Sequence, residues 1–336
     1  MIKAKSGKET RLQRLRTRLR RAALPVALSA AAFAAPAGPA SAQALPDSLK
    51  WDDNPFTWSL SEDLFRETGE YRFEKAVRVF EEAGGGIPSE LLDIFTYPLQ
   101  DPWTFGLAAA GVAALTLVDV PTTTFYQENI VPIGERFDLP RLDLLPFISP
   151  DGEYILAGIG GTYVYGLAAN DERAQVAAIL ATKAVAYSYL TSHLILKPLF
   201  GRSRPVKDLA NHTGDPGVFS TSPFEFFNSP GIQFSAAPAG TAMPSFHFTL
   251  YFSTARVYAG VYDNVLIPYG VATALALASA EGHNHWVSDM VAGALIGTGI
   301  GNVILNNYDG RKREAMGMVV PIVSSKGVGA AFQMSF

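Results

Sequence analysis

The sequence contains no cysteine, which excludes disulfide bonds, thiolate nucleophiles and cysteine-ligated metal sites. It also lacks apolar runs of full membrane-spanning length. Most apolar stretches extend for about sixteen residues between charges, short of the roughly 20 that cross a bilayer comfortably. They are therefore compatible with thin membrane helices or with the buried helices of an all-α core. The stretches are Trp103–Val118, Tyr154–Ala169, Ala174–Leu196, Phe246–Val261, Val265–Ala280 and Met290–Leu305.

Basic residues are scarce outside the N-terminal segment, which has the composition of a secretory signal. Residues 3–21 are strongly basic, residues 22–38 are rich in alanine, and Ala40-Ser41-Ala42 matches the small-x-small cleavage pattern. The pattern predicts a signal peptide over residues 1–42. An uncleaved amphipathic anchor is the alternative. Export would place the protein on the periplasmic side of a bacterial envelope, either membrane-associated or as a soluble periplasmic protein.

Removal of this segment makes the chain acidic. Residues 1–42 hold nine of the 27 basic and one of the 31 acidic residues, so the remaining chain has a net charge of −12. An acidic surface argues against a nucleic-acid partner. An anionic ligand must therefore be bound by a local cluster of cations.

The rest of the chain divides into three parts by composition. Residues 43–100 are polar and aromatic, and Phe73, Val77 and Phe80 recur at helical spacing, which predicts amphipathic helices on a core or a membrane surface. Residues 101–310 hold the apolar stretches and are predicted to form the helical core. Residues 316–336 alternate in the manner of a β-hairpin. The predicted fold class is all-α, a helical bundle with a short C-terminal β-hairpin.

Two further patterns concern packing. Gly293, Gly297 and Gly301 form a stripe on one helix face that allows a neighbouring helix to approach closely. Residues 206–243 form a long connection rich in Pro, Gly, Ser and Phe, and we expect it to lie over the functional site.

Three short motifs carry groups suited to phosphate chemistry. Lys197, Arg202 and Arg204 follow an apolar helix, and Lys and Arg side chains are the usual ligands of phosphate oxygens. Pro244-Ser245-Phe246-His247 has the residue types of a helix start, where free N–H groups bind anions. His285 and Asp289 would share one helix face, so the carboxylate could fix the tautomer of the imidazole. Each motif alone is equally explained by helix capping or by a local ion pair.

The order and spacing of the motifs resemble the type 2 phosphatidic acid phosphatase superfamily, which includes bacterial acid phosphatases, lipid phosphatases and vanadium haloperoxidases. The family pattern is Lys-x6-Arg-Pro, then Pro-Ser-Gly-His, then Ser-Arg-x5-His-x3-Asp. Lys197 to Arg204-Pro205 fits the first motif, and His285-x3-Asp289 fits the end of the third. Ser279 stands where the family has its third-motif arginine, and Phe246 replaces the glycine of the second motif. We expect Arg202, Lys183 or His283 to compensate for the missing charge.

The resemblance implies roles for individual residues. His285 is the nucleophile, Asp289 orients it, and His247 protonates the leaving group. The phosphate-binding residues are Lys197, Arg204, Ser245, Phe246 through its backbone N–H, and Arg202. No metal or cofactor is implied.

The implied function is a phosphatase that forms a phosphohistidine and hydrolyses a phosphomonoester or diphosphate. The favoured substrate is a phosphorylated lipid at a membrane surface, and a small soluble phosphomonoester is the next candidate. Two alternatives remain open. One is a vanadium-dependent haloperoxidase, and the other is a catalytically weakened envelope protein that binds phospholipid.

Overall fold

The computed structural model describes residues 56–65, 69–136, 150–212, 219–229, 231–234, 240–279, 285–316, 318–324 and 327–333. The predicted signal peptide lies outside these residues. The helices are α1 (Arg72–Gly84), α2 (Ile87–Gln100), α3 (Pro102–Leu117), α4 (Asp119–Asn129), α5 (Val131–Gly134), α6 (Pro150–Ala169), α7 (Glu172–Ser188), a π-helix (Tyr189–Leu196), α8 (Lys197–Phe200), α9 (Phe246–Tyr262), α10 (Leu266–Ala278) and α11 (Val287–Met316). The strands are β1 (Arg204–Pro205), β2 (Phe219–Ser220), β3 (Met318–Ser324) and β4 (Gly327–Gln333).

The all-α fold class and the terminal hairpin are confirmed. Each apolar stretch of the sequence is helical in the structure. The bounds agree closely for α3, α9 and α10, whereas Ala174–Leu196 is divided between α7 and the π-helix, and α11 continues eleven residues beyond its stretch, to Met316. Two of the helices have clear start signals. The Asp101 side chain accepts a hydrogen bond from the Thr104 N–H at the start of α3, and Asp171 accepts one from Ala174 at the start of α7. β3 and β4 pair antiparallel, with Ser324 opposite Gly327.

The centre of the bundle is the packing of α9 against α11, and the glycine stripe allows it. A Cβ atom at Gly293 would lie 2.5 Å from the Ser245 carbonyl oxygen, and one at Gly297 would lie 2.4 Å from that of Thr249. At Gly301 it would meet the Arg256 side chain at 2.6 Å. The prediction of a close helix approach is confirmed, and this approach brings the first turns of α9 and α11 together.

The N-terminal helix α1 forms where expected, but its aromatic stripe faces outward. Phe73 is 79% exposed and Phe80 is 60% exposed, while Val79 and Ala83 are buried. The buried face of α1 consists of Lys75, Val79 and Ala83. Beside it, Arg78 and Glu82 form ion pairs with Glu172 of α7 and Lys312 of α11. The amphipathic helix was expected to lie on a core or on a membrane surface. Its aromatic face does not lie on the core.

A buried ionic cluster holds α2 to the bundle. Glu90, which is fully buried, accepts hydrogen bonds from the Lys183 ammonium, the Tyr187 hydroxyl and Arg311. The same Lys183 ammonium donates to the backbone carbonyls of Ala83 and Gly85. Lys183 therefore has a structural role, and the expectation that it replaces the missing phosphate-binding charge is wrong.

The most exposed apolar element is α3, which contains no charged residue. Trp103 is 82% exposed at its start and Leu117 is 72% exposed at its end. The helix bends by 75° into α4–α5, and the two together are apolar enough for a broken membrane span or a re-entrant loop. Residues Val287–Ala315 pass the same test by length and composition, but two thirds of that helix is buried, as in the core of a soluble protein.

Candidate active site

The cationic motif follows the π-helix and is enclosed by the long connection. Gly201 ends α8 in the left-handed conformation, with φ of 52°, and turns the chain into β1. The described parts of residues 206–243 return along this turn. Ser203 donates its backbone N–H to Glu225, and Ala242 donates to the carbonyl of Arg202. The described parts of this connection therefore contact the cationic motif.

Lys197 and Arg204 are cations with little compensation. Lys197 is 5% exposed, and among the described residues neither side chain has a carboxylate at salt-bridge distance. Arg204 donates from Nε to the Thr241 hydroxyl at 3.2 Å. Burial holds the pKa of Lys197 well below its usual value and lowers that of Arg204 to about 10, and the repulsion by Arg204 lowers the pKa of Lys197 further. Two such groups define a candidate anion site, called the pocket below, because a bound anion would stabilise their charged forms.

Arg202 has a different role from the predicted one. Its guanidinium is fully buried and donates to the Asp289 carboxylate at 2.6 Å, to the Asp119 carboxylate at 2.7 Å and to the Pro223 carbonyl at 2.9 Å. It also lies over the Trp286 ring, 5.4 Å from the centroid. Because these partners surround the guanidinium, the prediction of Arg202 as a phosphate ligand is wrong. Its position instead lets it neutralise and hold two carboxylates.

The second of these carboxylates, Asp119, escaped the sequence analysis. It begins α4 and reaches the start of α11, where it accepts hydrogen bonds from the Ser288 backbone N–H at 2.9 Å and from the Ser288 hydroxyl. Thr123, one turn later, accepts from the Val287 N–H at 3.1 Å. The negative charge of Asp119 therefore caps a helix in another part of the chain. The only signal in the sequence is an aspartate directly after an apolar helix.

His285 and Asp289 come together as predicted, but by another local structure. α11 begins at Val287, so His285 precedes the helix, and the idea of one helix face shared by the two residues is wrong. One oxygen of Asp289 accepts the Trp286 backbone N–H at 2.9 Å, as the third residue of a helix does in a capping box. The same oxygen lies 3.7 Å from Nδ1 of His285.

The surroundings of Asp289 set its ionisation. The carboxylate is fully buried, which raises its pKa to about 6, while the Arg202 guanidinium and the Trp286 N–H favour the charged form. Trp286 is also fully buried and donates from its indole nitrogen to the Ser203 carbonyl at 2.9 Å. The cationic motif and the His285 segment are thereby held together by one side chain.

The Pro-Ser-Phe-His motif forms the start of α9. Among the described residues the buried Ser245 hydroxyl has no hydrogen-bond partner, so it can donate to an anion. The Ser245 backbone N–H, however, donates to the carbonyl of Asp289 at 3.0 Å, and the expected donation from this amide to phosphate is wrong. The amides of the first turn, from Phe246 onward, have no partner within the helix.

Phe246 and His247 point in different directions from this turn. The Phe246 ring is in the core, at edge-on contact with Tyr189 and His193, with centroids 5.9 and 5.6 Å away. The Phe246 side chain is therefore a packing residue. His247 is half-buried, and its ring centroid lies 6.0 Å from that of Tyr251.

Ser279, at the position of the family arginine, ends α10. It is buried, and its hydroxyl donates to the Ala276 carbonyl of its own helix. It supplies no charge to the pocket. His283 lies outside the described residues.

The residue types of this site are those that phosphoryl transfer uses. They are a histidine beside a buried carboxylate, two buried cations, a helix start with free N–H groups and a second histidine. A family model described as the PAP2 superfamily matches residues 175–313. Members of this superfamily are generally phosphatases that act on phosphorylated substrates. Searches of curated proteins and of solved structures gave no match. The matched segment contains both histidines, Asp289 and all three cations of the motif, and over these residues the chain is similar to the PAP2 superfamily.

Proposed function

We propose that the protein is a phosphatase that hydrolyses a phosphomonoester or diphosphate of a lipid through a phosphohistidine at His285. The observation that carries this proposal is the pair of poorly compensated cations, Lys197 and Arg204, in a pocket beside the His285–Asp289 pair. A phosphoryl group supplies the negative charge that these cations lack.

The reaction has two steps. Nε2 of His285 attacks phosphorus and the bond to the leaving oxygen breaks, with His247 giving that oxygen its proton. Asp289 faces Nδ1 and stabilises the positive charge that develops on the imidazole. In the second step His247 takes a proton from water, the water oxygen attacks phosphorus, and the N–P bond breaks to release phosphate and the free imidazole.

The lipid class is supported by the outer surface. α3 exposes an uncharged apolar face with Trp103 at one end, and α1 exposes Phe73 and Phe80. Trp is typical of the membrane–water interface. α3 also leads directly into α4, whose first residue, Asp119, caps the helix of the active site. We propose that this face contacts the periplasmic leaflet of a bacterial envelope, to which residues 1–42 direct the chain.

The activity is tested by phosphate release from a detergent-solubilised lipid phosphate and from a soluble aryl phosphate. Release from both, faster for the lipid, is expected, and His285→Ala abolishes both. Labelled substrate leaves an acid-labile phosphoenzyme in the native chain and none in His285→Ala. His212→Ala, a change in an exposed loop, is the matched control and keeps full activity. No release from either substrate would refute the phosphatase, and preference for the aryl phosphate would refute the lipid class.

The location is tested by fractionation of cells that express the full chain. We expect a processed chain in the periplasmic or membrane fraction, with its N-terminus at Gln43. Replacement of Phe73, Phe80 and Trp103 by serine should move the protein from membranes to the soluble fraction. An unprocessed chain in the cytoplasm would contradict the proposal.

A further inference from the structure

His193 is a half-buried side chain whose two ring nitrogens are buried, and the mechanism above does not use it. It lies in the π-helix, four residues before Lys197. π-Helical turns are rare and are frequent at functional sites, because the extra residue per turn redirects side chains. The turn is anchored to α9 at the preceding residue, where the Ser192 and Thr249 hydroxyls lie 3.2 Å apart.

The ring is held by packing. It stacks on Tyr189, with centroids 4.9 Å apart and planes 18° from parallel, and it meets the edge of Phe246 at 5.6 Å. Both ring nitrogens are buried, and among the described residues neither makes a hydrogen bond of ordinary geometry. The Gln233 backbone is close enough to act on the ring. At least one buried ring nitrogen is therefore left to bind a ligand.

The charges around His193 are those of the phosphate pocket. Burial, and then the positive charges of Lys197 and Arg204, lower the pKa of His193 to about 4, and the Gln233 backbone acts weakly in the opposite direction. Tyr189 faces it from its own helix, and Phe246 packs against it from α9. In the empty pocket the ring is therefore neutral at pH 7. The same two cations that define the pocket act on this ring.

We infer that His193 is a third phosphate-contacting residue, which binds a phosphoryl oxygen beside Lys197 and Arg204 and supplies the charge that is missing at Ser279. The inference rests on the proposed function. A bound dianion offsets the repulsion from the two cations, so the imidazole takes up one proton from solvent and donates a charged hydrogen bond. No bond to phosphorus forms at His193.

Calorimetry with inorganic phosphate tests this role. The full chain is titrated near pH 6.5 in two buffers of different ionisation enthalpy, which measures both the affinity and the protons taken up. His193→Phe keeps the stacked shape and removes the N–H groups. We expect it to weaken phosphate binding about tenfold or more and to reduce proton uptake, whereas His193→Gln, a neutral donor, loses less affinity but also loses the uptake. His212→Phe should match the native chain in both.

The outcomes separate the two proposals. If phosphate binds the native chain and Lys197→Ala abolishes that binding, the proposed phosphate pocket is supported. Equal affinity and proton uptake in His193→Phe and the native chain would then overturn the role of His193 alone. If phosphate does not bind the native chain, the proposed function and this inference both fall. If His193→Phe does not fold, His193→Gln and the NMR titration of the His193 ring give the answer. A pKa that rises by more than about one unit on phosphate addition is expected, and an unchanged pKa would overturn the inference.

Discussion

Replacement of Arg202 by methionine tests the network that holds the active site. The guanidinium makes charge-assisted hydrogen bonds to Asp289 at 2.6 Å and to Asp119 at 2.7 Å, and all three side chains are fully buried. The change leaves two carboxylates in the interior without a counter-charge. Loss of one partner of a buried ion pair costs about 3–5 kcal/mol, which is a large part of a total stability of about 5–15 kcal/mol.

The assay is unfolding by denaturant, followed by a probe of helix content, together with phosphate release. We expect Arg202→Met to lower the free energy of unfolding by about 3–5 kcal/mol. The double change Arg202→Met/Asp119→Asn should recover part of the loss, since one of the two buried charges is gone. Arg313→Met, which breaks the exposed ion pair with Asp309, is the control and should change stability by less than about 1 kcal/mol. A loss below about 1 kcal/mol in Arg202→Met, or a double variant less stable than the single one, would refute the reasoning.

Three other predictions follow from particular contacts. Gly297→Ala places a Cβ 2.4 Å from the Thr249 carbonyl oxygen and should lower the free energy of unfolding by about 1–3 kcal/mol in the same assay. Gly299→Ala, whose Cβ would meet nothing within 4 Å, should have little effect. Equal losses in the two variants would contradict the close packing of α9 on α11. Burial raises the pKa of Asp289 to about 6, so the carboxylate becomes protonated as the pH falls through about 6. We expect kcat/KM to fall over the same pH range, because protonated Asp289 no longer stabilises the charge on His285. A pH–rate profile that is flat down to pH 4.5 would exclude this role of Asp289. Phe246→Ala should lower the free energy of unfolding by about 3–5 kcal/mol, as for a core aromatic residue, with a modest effect on KM for a lipid substrate. A large rise in KM without loss of stability would indicate that the Phe246 side chain contacts the substrate instead.

The sequence predicted the helices better than their orientation. The bounds of α3 and α9 follow from apolar runs between residues that start or stop helices, and these signals are local. The outward face of Phe73 and Phe80 was not predictable, because helical spacing defines a stripe but does not say what the stripe meets.

The site shows the same division. The spacing of Lys197, Arg204, His247 and His285 indicated phosphate chemistry, because residue type and order carry that information. The partners of Arg202 were misjudged, since they lie 83 and 87 residues away along the chain, at Asp119 and Asp289.

By itself, the sequence determined the all-α class, the terminal hairpin, and the close approach of α9 and α11, and it named Lys197, Arg204, His247 and His285 as candidate site residues. Each of these depends on local propensity or on the pattern within one segment. Only the tertiary structure decided that Arg202 holds carboxylates, that Asp119 caps α11, and that His193 packs between Tyr189 and Phe246. These assignments depend on which buried charges meet, and a buried charge is tolerated only where a partner from another segment compensates it.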